Sequence, residues 1–404
     1  MTDQFEALRK YQTDHLILLV GTNPLPNYVA ARLLCQPQGK VCLVSSTDTL
    51  EIAKRLQSKL LSKDTQTDIA VELKDMSPSG VYKSVSELVK SLKGSVGLNY
   101  TGGTKAMSVQ AYRAVQEHHS DACFTYLDAR TLSMMVDDPC HVRDERVDVA
   151  LACLLTVEDM AGLHGIKFNK FSPAPVLPEV SKLLKEEFEG QRAWQNWAGQ
   201  NLYKVENGQR KLKSSTDIRA LPVPAGEFPG LVAEFDRLAG RNTARLGDWV
   251  ESAGFCLNKD GIARFAEWLA GGYWLETIAL LALQAIECEC KLSDCGMNYV
   301  ANNSKFEFDV AATRGFQLFA LSCTTDASDD RCKQKLFEAY VRARQLGGDE
   351  ARVALVCYHE TPGQLLKKFQ SDNFFDPHSV IVFGRPHLAD LKSYLKNWIN
   401  SARG

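Results

Sequence analysis

An excess of charge of either sign is missing from this sequence: 47 basic and 49 acidic residues over 404 positions leave a formal net charge of -2. A whole-chain basic footprint for nucleic acid is therefore absent, and any such contact must come from a local patch. Long apolar runs are also missing. None reaches the roughly 20 residues that a membrane-crossing helix needs. The stretch Met1 to Asp14 is polar and charged, unlike a secretion signal, so the chain is expected to be cytoplasmic. The 12 cysteines mostly sit within apolar runs, as Cys42, Cys123 and Cys357 do, and read as reduced, buried thiols. Cys288, Cys290 and Cys295 cluster, but their spacing departs from the usual zinc patterns and no fourth ligand is evident. Neither G-x-x-x-x-G-K-[ST] nor G-x-G-x-x-G occurs, which argues against a nucleoside triphosphate or a dinucleotide as the natural ligand.

Hydrophobic content of 45% and charged content of 24% suit a soluble globular protein. At roughly 100–200 residues per domain, the length suggests two or three domains. The first part alternates strand and helix. Apolar runs at 15–20, 40–44, 69–73, 96–98 and 123–127 read as strands, the last closing the series. Between them lie helical segments at 27–34, 49–61 (Leu50, Ala53, Leu56 and Leu60 on one face), around Val85, Leu88, Val89 and Leu92, and from Lys105 to about His118. This predicts an α/β fold with a parallel sheet covered by helices, and a ligand beyond the carboxyl ends of the strands.

Three polar loops fall there: Gly21, Thr22, Asn23 and Pro24; Ser45, Ser46 and Thr47; and Asn99, Tyr100, Thr101, Gly102, Gly103, Thr104 and Lys105. In the third, two glycines permit close approach of backbone to ligand. Thr101 and Thr104 bring hydroxyls, and Lys105 places a cation at a helix start, where free N–H groups favour anions. The chemistry suits a phosphate or a ribose. A tight strand-to-helix turn without a ligand draws on the same residue types.

The run N-x-T-G-G-T-K-x-M, from Asn99 to Met107, resembles the signature loop of CARF domains, which belong to accessory effectors of type III CRISPR systems. The loop beginning at Gly21 is similar to the family's first ligand loop, and Ser45, Ser46 and Thr47 fall where its second loop falls. The resemblance covers about the first third of the chain. It implies a cyclic oligoadenylate ligand, commonly cyclic tetra-adenylate, bound across the two-fold axis of a homodimer, as a symmetric ring suits a symmetric interface.

Residues 1–150 are thus read as a ligand-sensing domain. Residues 151–262 are read as a helical linker with a possible winged-helix-like module: 145–184 is mostly helical, broken by Pro173, Pro175 and Pro178; 191–216 is polar with Trp194 and Trp197; and 228–270 is largely helical. Arg237, Arg241 and Arg245 form a basic series that either touches nucleic acid or lies on a solvated face.

Residues 263–404 give a helix at 268–286 carrying Glu276, strands at 305–310 (from Lys305, with Asp309), 317–323, 352–358 and 380–383, and helices at 333–346 and 388–399. The order, with Gly-x-Trp-Leu-Glu at Glu276, Asp-Val at Asp309 and Lys-Leu-x-Glu from Lys335 to Glu338, resembles the PD-(D/E)xK nuclease core, a restriction-endonuclease-like α/β domain. The family's Glu-Cys-Lys-Thr is replaced by Ser322, Cys323, Thr324 and Thr325. A serine cannot supply a metal-binding carboxylate, nor a threonine the lysine that activates water. Glu307, which shares the face of Asp309 by strand alternation, or Glu338 with Lys333 or Lys335, offers a rearranged site. The leading reading is a cyclic oligoadenylate sensor and effector in antiviral defence, needing no cofactor, whose degenerate nuclease-like domain relays the signal to a nucleic acid or protein partner. One alternative is a ligand-activated endonuclease holding Mg or Mn through Glu276 and Asp309. Another is a ring nuclease in which Thr101, Thr104 and Lys105 align a ribose hydroxyl, though no general base is evident.

Overall fold

The computed structural model describes residues 2–137, 145–190, 192–301, 306–371 and 378–402. Lys305, at the start of one expected strand, and Gln191 lie outside the described residues.

Helix α1 (Thr2–Arg9) leads into strand β1 (Thr13–Leu19), α2 (Leu25–Leu34), β2 (Cys35–Ser46), α3 (Leu50–Leu61), β3 (Gln66–Leu73), α4 (Pro78–Ser91), β4 (Val96–Asn99), α5 (Lys105–His118) and β5 (Cys123–Asp128). Two further strands follow, β6 (Ser133–Asp137) and β7 (Glu145–Asp148), so β5 does not close the series. The sheet order is β3-β2-β1-β4-β5-β6-β7. The first five strands run parallel, while β6 and β7 are antiparallel, which makes the sheet mixed rather than purely parallel. In β1, Leu16 and Leu18 pack with α2 and α3, while Ile17 and Leu19 pack with α4 and α5. Both faces are therefore apolar, as a helix-covered sheet requires. Each fully buried aliphatic side chain contributes about 1.5–3 kcal/mol.

The segment expected to be mostly helical holds α6 (Val157–Leu163), then β8 (Phe168–Ser172), then α7 (Pro178–Gly190). Strand β8 pairs antiparallel with a strand more than a hundred residues later, so tertiary pairing overrides a local pattern that lacks clear alternation. Next come α8 (Ala193–Asn201), the hairpin β9 (Tyr203–Glu206) and β10 (Gln209–Leu212), α9 (Ser215–Ala220), α10 (Pro229–Ala239), α11 (Leu246–Ser252) and α12 (Lys259–Gly271).

The single helix expected over 268–286 is two: α12 ends at Gly271, and α13 (Trp274–Gln284) restarts three residues later, followed by α14 (Glu287–Cys290). Strands β11 (Asp294–Ala301), β12 (Glu307–Arg314) and β13 (Gln317–Thr324) precede helix α15 (Asp329–Gly347). Then come β14 (Arg352–Cys357), α16 (Pro362–Ser371), β15 (Val380–Phe383) and α17 (Leu391–Ser401). The second sheet runs β15-β14-β13-β12-β11-β8. Strand β11 has no counterpart among the sequence-based expectations.

One face of this sheet shares a continuous core with the N-terminal unit: Leu318, Ala320 and Leu355 join Val149, Leu155 and Val157. The other face packs on α13, and Phe319, Leu321, Leu275 and Trp249 belong to one core that continues into the middle helices. No helix among the described residues is long and apolar enough to cross a membrane. The described cysteines are free thiols; Cys42 and Cys357 are buried, whereas Cys256 and Cys288 are exposed.

Candidate functional site

The first and third polar loops leave the carboxyl ends of β1 and β4, whereas Ser45 and Ser46 prove to be the last residues of β2, with Thr47 just beyond; the three strands are neighbours in the sheet. The chain winds outward from β1 in both directions, so the loops meet at its topological switch point. They touch: a Cβ placed on Gly21 would come 3.0 Å from the Gly103 nitrogen. A Cβ on Gly102 would lie 2.2 Å from the Leu19 carbonyl oxygen, which is why no larger residue fits there. Asn27 braces the same corner, donating from Nδ2 to the Leu19 carbonyl at 3.0 Å.

The loop residues divide by role. Asn99 is fully buried; its amide donates to Thr125 Oγ1 at 3.1 Å and its Oδ1 accepts from the Thr101 N–H at 3.3 Å, so it shapes the loop from beneath. The Thr101 hydroxyl accepts from the Leu127 N–H at 2.7 Å, tying the loop to β5. Thr104 caps α5 by accepting from Met107 N–H at 3.2 Å. Lys105 follows in the first turn and is exposed, beside the free N–H groups of a 14-residue helix. Ser45 is buried and its hydroxyl lacks a partner among the described residues, while Ser46 is held by Thr49 and Thr47 is exposed. Thr22 is exposed, Pro24 is buried, and Asn23 Oδ1 accepts from the Leu25 N–H at 3.0 Å. The rings of Tyr100 and Tyr126 stack beside the signature loop at 6.0 Å. Tyr126 lies far along the chain from the loop motifs and was not singled out by them.

Asn23 also meets the C-terminal unit. A Cβ on Gly348, at the end of α15, would come 2.3 Å from Asn23 Nδ2. Buried Glu350 stands beside this contact; burial pushes its carboxyl up to about 7, with Asp128 at the end of β5 adding to the rise.

The nuclease-like residues converge as well. The register Val310–Leu321 puts Asp309 on β12 across from Ser322 on β13. Asp309 Oδ2 accepts from Ser322 Oγ at 2.9 Å and from the Cys323 N–H at 2.7 Å, and Lys335 Nζ of α15 lies 3.6 Å away. Lys335 is thus the lysine of α15 that pairs with Asp309. Burial lowers its ammonium pKa, but Asp309 and Glu276 outweigh that and hold it above the usual value. Thr324 ends β13. Glu338 lines the same small cavity, but its Oε1 accepts from Gln334 Nε2 at 3.0 Å and its Oε2 is 3.9 Å from Arg342. Glu276 is in the first turn of α13; burial and then the Asp309 charge hold its carboxyl well above the usual range.

This donor set does not fit a divalent cation. Such an ion asks for several ionised oxygens. Here Glu276 is buried, Asp309 spends one oxygen on two hydrogen bonds and the ion pair with Lys335, and Ser322 stands in place of a third acid. Among the described residues no group of three or more His, Cys, Asp or Glu side chains could hold a metal, Cys288, Cys290 and Cys295 included. Two of the basic series are ion-paired, Arg237 with Glu234 at 2.6 Å and Arg241 with Asp248 at 2.9 Å, while Arg245 donates to the Ala220 carbonyl at 2.7 Å.

No family model matches the chain, and no curated protein matches its sequence. Solved structures do. Protein VC1899 from Vibrio cholerae superposes with a TM-score of 0.64 at 19% identity, over 96% of this chain and 99% of its own. Can2 from Sulfobacillus thermosulfidooxidans, in complex with cyclic tetra-adenylate, gives 0.61 at 17% identity, over 95% of this chain and 99% of its own. A type III CRISPR defence DNA nuclease activated by cyclic oligoadenylate gives 0.51 at 18%, over 85% of this chain and 45% of its own. At these identities the likeness establishes the fold alone: a seven-stranded mixed sheet between helices, joined to a six-stranded sheet with its own helices.

Proposed function

We propose that this chain joins a CARF-type sheet to a nuclease-like domain and is a cyclic tetra-adenylate sensor of type III CRISPR antiviral defence that does not cleave nucleic acid. The observation that carries the reading is a contrast within one molecule. Two glycine- and threonine-bearing loops and the serine-bearing end of β2 converge at a sheet switch point with an exposed lysine at a helix start. The nuclease-like site, meanwhile, ties its aspartate to Ser322 and Lys335. Backbone N–H groups and hydroxyls suit ribose and phosphate. A two-fold ring calls for a homodimer, in which each copy offers the same loops. Sensing of this kind needs no Mg or Mn.

The residues also supply a route for relay. Asn23 of the first loop abuts Gly348, and α15 runs from that turn back to Lys335 against Asp309, about 18 Å at 1.5 Å per residue. A ligand that moves the Asn23 loop would therefore bear on α15, and through it on whatever nucleic acid or protein the C-terminal domain meets.

The test is incubation of the protein with plasmid and RNA in Mg or Mn, with cyclic tetra-adenylate present. Intact nucleic acid is expected. Metal-dependent cleavage that disappears in Asp309→Ala would overturn the reading in favour of a rearranged nuclease.

A further inference from the structure

Glu350 stands where the ligand end of the first sheet meets the second sheet. A Cβ on Gly348 would lie 2.3 Å from Asn23 Nδ2 and 2.7 Å from Glu350 Oε2, so the amide of the first loop and this carboxyl close on one spot. Asn23 turns its Oδ1 to the Leu25 N–H, which leaves Nδ2 on the Glu350 side. Asp128 acts on the same carboxyl from the end of β5. That end is tied to the signature loop, because Thr101 Oγ1 accepts from the neighbouring Leu127 N–H at 2.7 Å. Glu350 therefore borders both of the glycine-bearing loops.

The carboxyl is fixed in place and its charge is unmatched. Glu350 is 2% exposed, and its carbonyl accepts from Gln317 Nε2 at 2.9 Å and from Arg352 Nη1 at 3.2 Å. Arg344 is paired with Asp349, and Arg352 Nη1 turns to the carbonyls of Asp349, Glu350 and Ala351. The Glu350 carboxyl is in no salt bridge among the described residues. Burial and then Asp128 raise its proton affinity, and its own N–H, Arg352 and Arg344 only partly oppose them, so it titrates at about 7. Two other titratable groups stand nearby. Tyr126 on β5 is held above its ordinary value by burial and stays neutral. His164, just past α6, donates to the Leu346 carbonyl near the end of α15, and burial holds it at about 4.

A cyclic oligoadenylate carries one negative charge per phosphodiester. An anion brought near a carboxyl favours its neutral form. By reciprocity the neutral carboxyl favours the anion by the same factor. We propose that Glu350 makes ligand binding proton-linked: the anionic ring at the loops and a proton on this carboxyl each tighten the hold of the other. The inference rests on the sensor reading and adds its regulation. Binding takes up protons, and affinity declines as pH rises through about 7, where the carboxyl of the free chain ionises. Adenines and phosphodiesters do not titrate in this range, so the ligand does not supply the dependence.

Calorimetry of the full chain with cyclic tetra-adenylate at pH 6, 7 and 8, in PIPES and in imidazole at one ionic strength, tests it. Affinity is expected to fall about fivefold from pH 6 to pH 8. At pH 7 the apparent enthalpy should differ between the two buffers by the amount that proton uptake requires. In Glu350→Gln the affinity should be flat and the buffer dependence lost. Thermal melts report whether that variant folds. Asp128→Asn removes a like charge, should move the fall in affinity to lower pH, and serves where Glu350→Gln does not fold. Native affinity that ignores pH or rises with it, or a fall of equal size in Glu350→Gln, would overturn the proposal while leaving the sensor reading intact. Absence of ring binding at every pH is a distinct result, which overturns the sensor reading and the inference with it.

Discussion

Ser322 donates from Oγ to Asp309 Oδ2 over 2.9 Å, where the nuclease pattern carries a second carboxylate. The serine converts a place of like-charge crowding into a hydrogen bond that helps keep a buried aspartate in place. Ser322→Ala should therefore lower stability by about 1–2 kcal/mol, read from denaturant unfolding, because a buried carboxylate loses a donor. An unchanged midpoint would mean that the bond contributes nothing.

The ligand loop gives a paired prediction. Lys105 is exposed at the first turn of α5, so Lys105→Ala should weaken cyclic tetra-adenylate binding about tenfold with the melting temperature unchanged. Gly102→Ala should weaken binding and lower the melting temperature together, since its Cβ would press on the Leu19 carbonyl at 2.2 Å. Calorimetry and thermal melts of both variants check the contrast.

Glu350 predicts a pH dependence. Its carboxyl is raised from 4.5 to about 7 in the folded chain, first by burial. The folded state thus holds this proton more tightly than the unfolded state. The stabilisation is complete below the unfolded value and is lost as pH rises through about 7. Glu350→Gln should match the native protein near pH 5 and exceed it near pH 8, by on the order of 3 kcal/mol at most. Denaturant melts at the two pH values decide it; a gain of equal size at both would point away from titration.

The contact between domains is open to substitution at Gly348, which has φ +62 and ψ -149. Gly348→Ala should cost about 1–3 kcal/mol through strain, and should also weaken cyclic tetra-adenylate binding by displacing Asn23. Gly240 has φ +65 and open space where a Cβ would stand, so Gly240→Ala serves as the control that strains backbone without touching a loop. Equal ligand affinity in both variants would remove Asn23 from the relay.

Much of this architecture could be read from the chain. The β1–α5 alternation was legible because buried parallel strands are continuous apolar runs bounded by polar loops, and Asn99 to Lys105 carry a spaced motif. Asp309 and Glu276 were legible as acids on apolar ground. What escaped depended on distant partners. Strand β8, with Phe168, Asn169 and Lys170, has no local strand signature and is held by pairing to β11. The break between α12 and α13 falls at Gly271 and Gly272, the latter at φ +86, a breaker pair that interrupts the apolar run. The contact of Asn23 with Gly348 joins residues over three hundred positions apart, and no periodicity reports it.

The most direct test of the account is calorimetric titration of the purified protein with cyclic tri-, tetra- and hexa-adenylate, followed by recovery of the ligand and of added plasmid and RNA. The account predicts saturable binding of cyclic tetra-adenylate by a homodimer, with ligand and nucleic acid recovered intact. Absence of binding to any of the three rings would contradict it at its base, and binding accompanied by cleavage would contradict the claim that Ser322 and Thr324 have silenced the nuclease-like site.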